Sequence, residues 1–312
     1  MKIPVEIEKL YKHWSKHARI SKTIDQTTKD CLNPEMLGGM SKLINERMLI
    51  WQKKNQGSEK PYTSDEILNR FRFCNVYREL DRQSLEIHSS NKKYEGNFPL
   101  WLLNTAAARF ICRTETVKKI GELSYFGDKN KVVKEKLLGL KKPKYGNAYV
   151  FPVSVLPKIN CHNREEFVCD YLPEMIPKVA KLISFFNDES VDEILPRVTA
   201  EFGASFRFHW TEVLIDVAYQ FPNFINLYKK FPIGPGAKES MLKLSSETSP
   251  ENTCLRLVDS NYIMKNLLEM GSDKILLSAE NWEGVGCEYR KYSNLKEGRG
   301  RKRYYSPKIN EQ

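Results

Sequence analysis

Apolar side chains recur at helical spacing along most of this chain. The clearest case is residues 35–54, where the apolar positions are Met40, Leu43, Ile44, Met48 and Trp51. Gly57 and Pro61 end that pattern, and the stretch Thr63-Ser64-Asp65-Glu66 follows. Short polar side chains cap the first amides of a helix and acidic residues suit its first turn, so a new helix is predicted to start here.

The same periodicity predicts helices at residues 5–20, 35–54, 65–88, 98–112, 114–122, 129–138, 164–186, 190–200, 208–220, 222–230, 237–244 and 259–270. Only AYVFPVSV, at 148–155, has the β-branched character of a strand, and its Pro152 restricts it to an edge or extended segment. The residues after 271 look irregular and basic. We therefore predict an all-α chain with one small extended insertion near 145–157.

Composition supports a packed globular protein, since 41% of the residues are hydrophobic and 29% are charged. Mean hydropathy is −0.53, and no apolar run long enough for a membrane span occurs. The amphipathic N-terminus lacks the apolar core of a secretory signal. The seven cysteines form no CxxC pair and no zinc-site spacing. We expect a cytoplasmic protein with reduced thiols, no membrane partner, no metal and no cofactor.

Charge points to a polyanionic partner. Fifty Lys and Arg face 39 Asp and Glu, which gives a net charge of +11. The excess is concentrated in two runs: Lys129, Lys131, Lys134, Lys136, Lys141, Lys142 and Lys144, and then Arg290, Lys291, Lys296, Arg299, Arg301, Lys302 and Arg303. Nucleic acid is the partner this pattern favours. A basic protein whose tail is merely solvated remains the alternative.

Two predicted helices carry polar stripes that suit chemistry. In residues 69–82 the stripe consists of Arg72, Asn75, Glu79 and Arg82, with Arg78 beside them. Guanidinium groups bind phosphate bidentately, but a solvated face with ion pairs such as Arg78–Asp81–Arg82 explains the same spacing.

The second stripe is formed by His209, Glu212 and Asp216. An imidazole beside two carboxylates can take a proton from an attacking amine or supply part of a metal site. A buried structural histidine on an ion-paired helix face is the alternative.

The segment FRFCNVYRELDR, residues 71–82, resembles the signature of the helical domain attached to 5-hydroxymethyluracil DNA kinases. That domain is similar to the phage α-glutamyl/putrescinyl-thymine pyrophosphorylases. GCEYRKY, residues 286–292, is similar to the C-terminal motif of the same group, and it assigns Glu288, Lys291 and Tyr292 to substrate or DNA binding. The chain has no GxxxxGK[ST] phosphate loop, so kinase chemistry lacks its cradle here.

The resemblance implies thymine hypermodification in double-stranded DNA. The implied substrate is 5-pyrophosphoryloxymethyl-deoxyuridine, whose pyrophosphate is displaced by the amine of a free amino acid or polyamine. Arg72, Arg78 and Arg82 would hold the pyrophosphate, and Glu79 or Asp216 would accept the proton. A phage-encoded enzyme would work in the host cytoplasm. Which amine is used, and whether a metal assists, stays open.

A relation to helix-hairpin-helix DNA glycosylases is implied as well. Residues 231–238, FPIGPGAK, resemble the glycosylase hairpin, whose glycine-turn amides at Gly234 and Gly236 would meet a DNA phosphate. By position, Lys238 matches the lyase lysine and Asp259 the catalytic aspartate. The expected fold is therefore bilobal and glycosylase-like over residues 1–295, with a basic tail at 296–312. DNA would lie across the cleft between the lobes, with the target base flipped out.

Two other functions remain open. One is a DNA glycosylase or lyase for a modified pyrimidine, with Asp259 and Lys238 as its working pair. The other is a DNA-binding module without catalysis. An amine adduct on the DNA would indicate the transferase, and an abasic product would indicate the glycosylase.

Overall fold

A computed structural model describes residues 1–12, 18–21, 32–125, 127–146, 148, 150–260, 264–300 and 304. These residues are mostly helical, which confirms the helical part of the fold prediction. The helices of the first half are α1 Val5–Leu10, α2 Pro34–Asn55, α3 Glu66–Arg70, α4 Arg82–Asn91, α5 Phe98–Ile111, α6 Thr114–Ile120 and α7 Gly127–Gly139. Those of the second half are α8 Arg164–Glu166, α9 Leu172–Ser184, α10 Val191–Phe202, α11 Arg207–Gln220, α12 Pro235–Leu244, α13 Pro250–Asp259 and α14 Ala279–Lys296.

Shorter turns of helix complete these elements. A π-helical segment, Phe167–Tyr171, joins α8 to α9. Among the described residues, 3-10 segments lie at Arg78–Leu80, Lys92–Tyr94, Val153–Ile159 and Ala204–Phe206. No helix in the described part of the chain is both long and apolar enough to span a membrane. The described cysteines are all free thiols, and Cys31 lies outside the described residues.

A small antiparallel sheet was not expected from the sequence. Its strands are β1 Ile20–Ser21, β2 Glu269–Met270 and β3 Asp273–Ile275, in the order β1-β3-β2. In the register, Ile20 lies opposite Ile275 and Met270 opposite Asp273. The turn between β2 and β3 needs Gly271, because its φ of 64° lies in the left-handed region.

Contacts divide the chain into two compact units. The first unit comprises Met1–Val5, Ala18–Asp81 and Tyr228–Gln312, and the second comprises Glu6–His17 and Arg82–Leu227. Each unit is therefore assembled from segments that are distant in the sequence. The expected division at residue 295 and the bilobal glycosylase-like arrangement stay predictions.

The core of the first unit joins α2, α3, α14 and the segment that follows α3. It contains Leu43, Ile50, Leu68, Phe71, Phe73 and Leu295, with Tyr62, Ile67, Tyr289 and Tyr292 packed against it. Helices α12 and α14 also pack closely. A Cβ on Gly286 would lie 2.8 Å from the Cε of Met241, and the Ser240 hydroxyl donates to the Gly286 carbonyl at 2.7 Å. A larger residue at position 286 would force the Met241 side chain to move.

The core of the second unit is aromatic. The ring of His209 stacks on Phe110 with the centroids 4.8 Å apart, and Phe151, Phe167 and Phe206 surround the pair. Rings that bury a large apolar area dominate the stability of such a core. Helices α5, α9, α10 and α11 supply most of its buried side chains.

Several predicted elements were wrong. Residues 222–230 are turns with one bridge at Ile225, and 148–155 contains the start of a 3-10 helix instead of a strand. A helix was expected to start near residue 259. Instead, α13 lies earlier in the chain and ends at Asp259. The final segment, predicted as irregular, forms α14. Here tertiary packing of an amphipathic face overrides weak local propensity.

A buried ion pair organises the second unit. The Asp216 carboxylate accepts hydrogen bonds from Arg109 Nε and Nη2, each at 2.5 Å, and contacts His88 Nε2 at 2.9 Å. The network continues from Arg109 to the Ser84 hydroxyl and from His88 to the Tyr11 hydroxyl. Burial by itself raises the pKa of Asp216, but the charges of Arg109 and His88 outweigh it and hold that pKa well below its usual range.

Replacing Asp216 should therefore unfold the protein more easily. Asp216→Asn leaves the buried Arg109 guanidinium without its counter-charge, which we expect to cost about 3–5 kcal/mol of stability at neutral pH. Because the folded-state pKa is depressed, this stabilisation exists above the carboxylate's unfolded pKa and is lost as the pH falls. Urea unfolding measures the loss, with Asp128→Asn on the surface of α7 as the control. A difference below about 1 kcal/mol would exclude this role.

Candidate functional site

The segment after α3 is extended, not helical. Helix α3 ends at Arg70, and the next residues alternate: Phe71 and Phe73 are buried, whereas Arg72 and Cys74 are exposed. Alternation with period two is the pattern of a half-buried extended chain. The predicted helical stripe of Arg72, Asn75, Glu79 and Arg82 is therefore wrong, because these residues do not share a helix.

Side chains satisfy much of the backbone of this extended segment. Nη2 of the buried Arg47 donates to the carbonyls of Phe73 at 3.1 Å and Cys74 at 3.0 Å. The Lys291 ammonium donates to the Arg72 carbonyl, and the Cys74 amide donates to the Glu288 carboxylate at 3.2 Å. An extended segment needs such partners wherever no strand pairs with it, because buried backbone groups that lack hydrogen bonds are costly.

The GCEYRKY motif lies on α14 and faces this segment. Glu288, Lys291 and Tyr292 follow at steps of three and one, which places them on one side of the helix. The Lys291 ammonium lies 4.3 Å from the centroid of the Phe73 ring. The Tyr292 hydroxyl donates to Asp65 at 2.6 Å. The two motifs, more than 200 residues apart in the sequence, therefore form one surface of the first unit.

The second half of the FRFCNVYRELDR segment is held by a compact turn. The backbone amide of Asn75 donates to the Asp81 carboxylate at 3.2 Å, and the side-chain amide of Asn75 donates to the Leu80 carbonyl at 2.9 Å. Tyr77 is fully buried and donates to the Ile275 carbonyl at 2.6 Å. Asn75 and Tyr77 thus fix the course of the chain, while the predicted catalytic role of Asn75 stays a prediction.

The remaining predicted residues of this segment differ in exposure. Arg78 is half-buried and Glu79 is only 2% exposed, both in the 3-10 segment. Arg82 begins α4, belongs to the second unit and pairs with Glu86 at 3.1 Å. The predicted arginine clamp is thus divided between the two units, with Arg72 and Arg78 in the first.

Positive charge accumulates beside the extended segment. Burial lowers the pKa of Lys54 to about 8, and the charges of Arg47, Lys60 and Arg72 lower it as well. We call these four residues the basic cluster. Like charges that lie close together create a potential that attracts an anion. Arg47 interrupts the apolar face of α2. A charged residue at an apolar position is the sequence signal that could have identified this buried arginine.

The glycine turn begins α12 but is not a hairpin between helices. Gly234 is the N-cap residue with φ of −74°, and residues 221–234 before it form no helix. Its amide donates to Glu283 at 3.2 Å, so a carboxylate occupies the position expected for a DNA phosphate. A Cβ on Gly236 would collide with the Cys287 sulfur, which gives that glycine a packing role. Lys238 follows in the first turn of α12.

Asp259 is the last residue of α13 and is exposed. Because it ends α13, it does not start a helix as expected. Its carboxylate pairs with Arg19 at 3.3 Å. In the basic tail, Arg299 pairs with Glu297, and Arg301 and Arg303 lie outside the described residues. The glycosylase-like roles of Asp259 and Lys238 stay predictions.

The His209 stripe does lie on a helix, α11, but inside the second unit. His209 is 1% exposed and Glu212 is 7% exposed. Burial, together with the charge of Arg164, lowers the pKa of His209 to about 4. A neutral histidine stacked on Phe110 and an ion-paired Asp216 match the structural alternative stated for this stripe.

An open cavity of about 760 Å³ lies in the first unit, beside the joined motifs. Its lining comes from α2, the start of α3 and α14: Pro34, Glu35, Gly38, Gly39, Lys42, Leu43, Glu46, Ser64, Asp65, Leu68, Tyr289, Tyr292 and Lys296. Tyr292 is the one predicted binding residue among them. Within the described residues, no group of three or more His, Cys, Asp or Glu has the arrangement needed to hold a metal.

A family model described as "5-hmdU DNA kinase, helical domain" matches residues 35–301. The chain belongs to this family. A 5-hmdU DNA kinase of Bacillus phage SP10 is 37% identical over 82 residues, which is 24% of this chain and 13% of that kinase. The chain therefore spans only a small part of this relative's length. No solved structure matches the chain.

Both motif segments fall inside the range that matches the kinase helical-domain family. The sequence predicted no binding role for three residues of this site: Arg47, Lys54 and Asp65. They lie on α2 or at the start of α3. They join the site only through folding, because Arg47 contacts the extended segment and Asp65 contacts α14.

Anion binding at the basic cluster should be coupled to proton uptake. An anion beside Lys54 stabilises its charged form, so its depressed pKa should rise. At pH 8 we expect inorganic pyrophosphate to bind with more proton uptake in the wild type than in Lys54→Met, whereas at pH 6 the two should agree because Lys54 is already protonated. Calorimetry in buffers of different ionisation enthalpy measures this difference. Lys53→Met, one residue earlier on the same helix, is the control, and equal uptake in all three proteins would contradict anion binding here.

Proposed function

We propose that this protein modifies thymine-derived bases in DNA by displacing pyrophosphate from 5-pyrophosphoryloxymethyl-deoxyuridine with an amine. Membership of the kinase helical-domain family supports a role in phage DNA base hypermodification. The transferase reaction is the finer step of the proposal. It requires no kinase phosphate loop, because the activating pyrophosphate is already on the DNA.

The proposed reaction is a substitution at the 5-methylene carbon. The bond from that carbon to the pyrophosphate oxygen breaks, and the electron pair leaves with pyrophosphate. A bond from the amine nitrogen to the same carbon forms, and the nitrogen loses a proton. The target nucleotide must leave the base stack to expose this carbon, since a paired base is not accessible to a protein pocket.

The joined motif surface is the observation that carries the proposal. It combines an extended segment with the basic cluster of Arg47, Lys54, Lys60 and Arg72. Fixed cations beside a leaving pyrophosphate stabilise the negative charge that develops as the bond breaks. Arg72 is exposed at this surface and is the residue we assign to the pyrophosphate.

Burial and charge argue against Asp216 as the base. Asp216 is a poor proton acceptor, because Arg109 holds its pKa well below the usual range. Glu79, the other predicted base, is only 2% exposed, so we assign the base to neither residue. For contact with duplex phosphates we retain the lysines of α7 and the loop after it, since Lys129, Lys136, Lys141 and Lys142 are exposed.

A synthetic duplex with one 5-pyrophosphoryloxymethyl-deoxyuridine tests the proposal. We expect mass spectrometry of the nucleosides to detect an amine adduct and the solution to contain one pyrophosphate per adduct. An abasic site with release of the free base would indicate the glycosylase. Tight DNA binding without either product would indicate a non-catalytic module.

Substitutions of two arginines of the predicted stripe should affect the transfer rate differently. Arg72→Ala should lower the transfer rate at least about tenfold, which corresponds to roughly 1.4 kcal/mol of lost transition-state stabilisation. Arg82→Ala removes an exposed pair with Glu86 and should change the rate less than about twofold, because such pairs contribute little. Single-turnover kinetics on the same duplex compare them. Equal effects of both substitutions would refute the assignment of pyrophosphate binding to the first unit.

A further inference from the structure

The cavity in the first unit has an uncommon charge arrangement. Five charged side chains line it: Glu35, Lys42, Glu46, Asp65 and Lys296. Within the described part of the chain, none of the five forms an ion pair within 4.0 Å. Groups of both signs therefore face one cavity without neutralising each other, and a ligand that carries both signs would complement them.

The wall formed by α2 presents these charges in a fixed order. Glu35, Gly38, Lys42 and Glu46 recur at steps of three or four, so they share one face of the helix. At a rise of about 1.5 Å per residue, Glu35 and Glu46 are roughly 16 Å apart along the axis, with Lys42 between them. The wall thus offers separate positions for an ammonium and a carboxylate.

The two glycines of α2 differ in what packing requires of them. A Cβ on Gly39 would collide with the Tyr289 hydroxyl, so packing demands that glycine. A Cβ on Gly38 would meet nothing within 4 Å. Glycine inside a helix lowers stability relative to alanine, so packing gives no reason for Gly38. Its missing side chain instead keeps the cavity open.

Asp65 lines the cavity at the start of α3. Its carboxylate accepts the Leu68 amide at 2.9 Å and the Tyr292 hydroxyl at 2.6 Å. Burial and the bond to Asp65 raise the pKa of Tyr292 to about 12, so this tyrosine remains a neutral donor. A carboxylate has about four acceptor positions, which leaves Asp65 capacity for an ammonium.

We infer that this cavity binds a free amino acid as the amine co-substrate, in preference to a polyamine. An α-amino acid carries one ammonium and one carboxylate, which the acidic side chains and lysines of the lining can pair separately. A diamine carries no carboxylate and would leave Lys42 and Lys296 without a partner from the ligand. The cavity volume lies within the range of small-molecule sites, roughly 300–1,000 Å³. The identification as co-substrate rests on the proposed function, whereas the binding itself does not.

Calorimetry on the full chain without DNA tests the inference with three probes: glycine, glutamate and putrescine. We expect both amino acids to bind and putrescine to bind at least about tenfold more weakly or not at all, as a 1.4 kcal/mol difference would give. Putrescine binding as tight as either amino acid, or no binding by any probe, would overturn it.

Two variants locate the site. Gly38→Leu should fill the cavity, reduce amino-acid affinity at least about tenfold and leave the melting temperature unchanged or raised, because leucine favours helix and has room. Gly284→Leu is the matched control, since this glycine also lies in a helix, has nothing near its Cβ position and is outside the lining. Lys42→Met, at an exposed position, should weaken amino-acid binding without weakening putrescine. Unchanged amino-acid affinity in Gly38→Leu and Lys42→Met would refute the location.

The same proteins separate this inference from the proposed function. If the wild type binds amino acids but forms no adduct on the activated duplex, the transferase proposal fails and the binding site stands. If adducts form and Gly38→Leu transfers amino acids with unchanged kcat/KM, the transferase stands and the amino-acid site in this cavity is refuted.

Discussion

The first unit depends on side chains that hydrogen-bond an extended backbone. Within the described residues, the segment that follows α3 pairs with other extended backbone at the bridge of Phe71 to Tyr304 alone, so its remaining polar groups need other partners. Arg47 from α2, and Glu288 and Lys291 from α14, supply them. Loss of Arg47 would leave the buried Phe73 carbonyl without this donor, which costs more than the bond itself contributes.

Because of this constraint, the motif residues position the backbone of the proposed site. Glu288 and Lys291 hold the chain in place, and the segment they hold carries exposed Arg72, a member of the basic cluster. At this surface, the residues that position the backbone lie next to the arginine that we propose to bind pyrophosphate. In the second unit, by contrast, Asp216 is committed to Arg109 and His88, and its burial favours stability over chemistry.

The first unit carries its charges in two different arrangements. The basic cluster concentrates one sign, which suits pyrophosphate, whereas the cavity beside α2 and α14 separates both signs, which suits an amino acid. Tyr292 and Lys291 belong to the same motif, and each contacts a different one of these surfaces. A substitution reaction needs a leaving group and a nucleophile near one carbon, and this division of charge supports that chemistry.

The sequence by itself determined the helical class, the bounds of α2, α5 and α11 within a few residues, and the two motif segments, which lie within the residues that match the family. These features depend on periodicity and on local residue order. Only the tertiary structure decided that residues 71–77 are extended, that α14 is helical, and that Arg47, Lys54 and Asp65 belong to the site. Each of these depends on contacts between residues far apart in the chain, which local propensity does not encode.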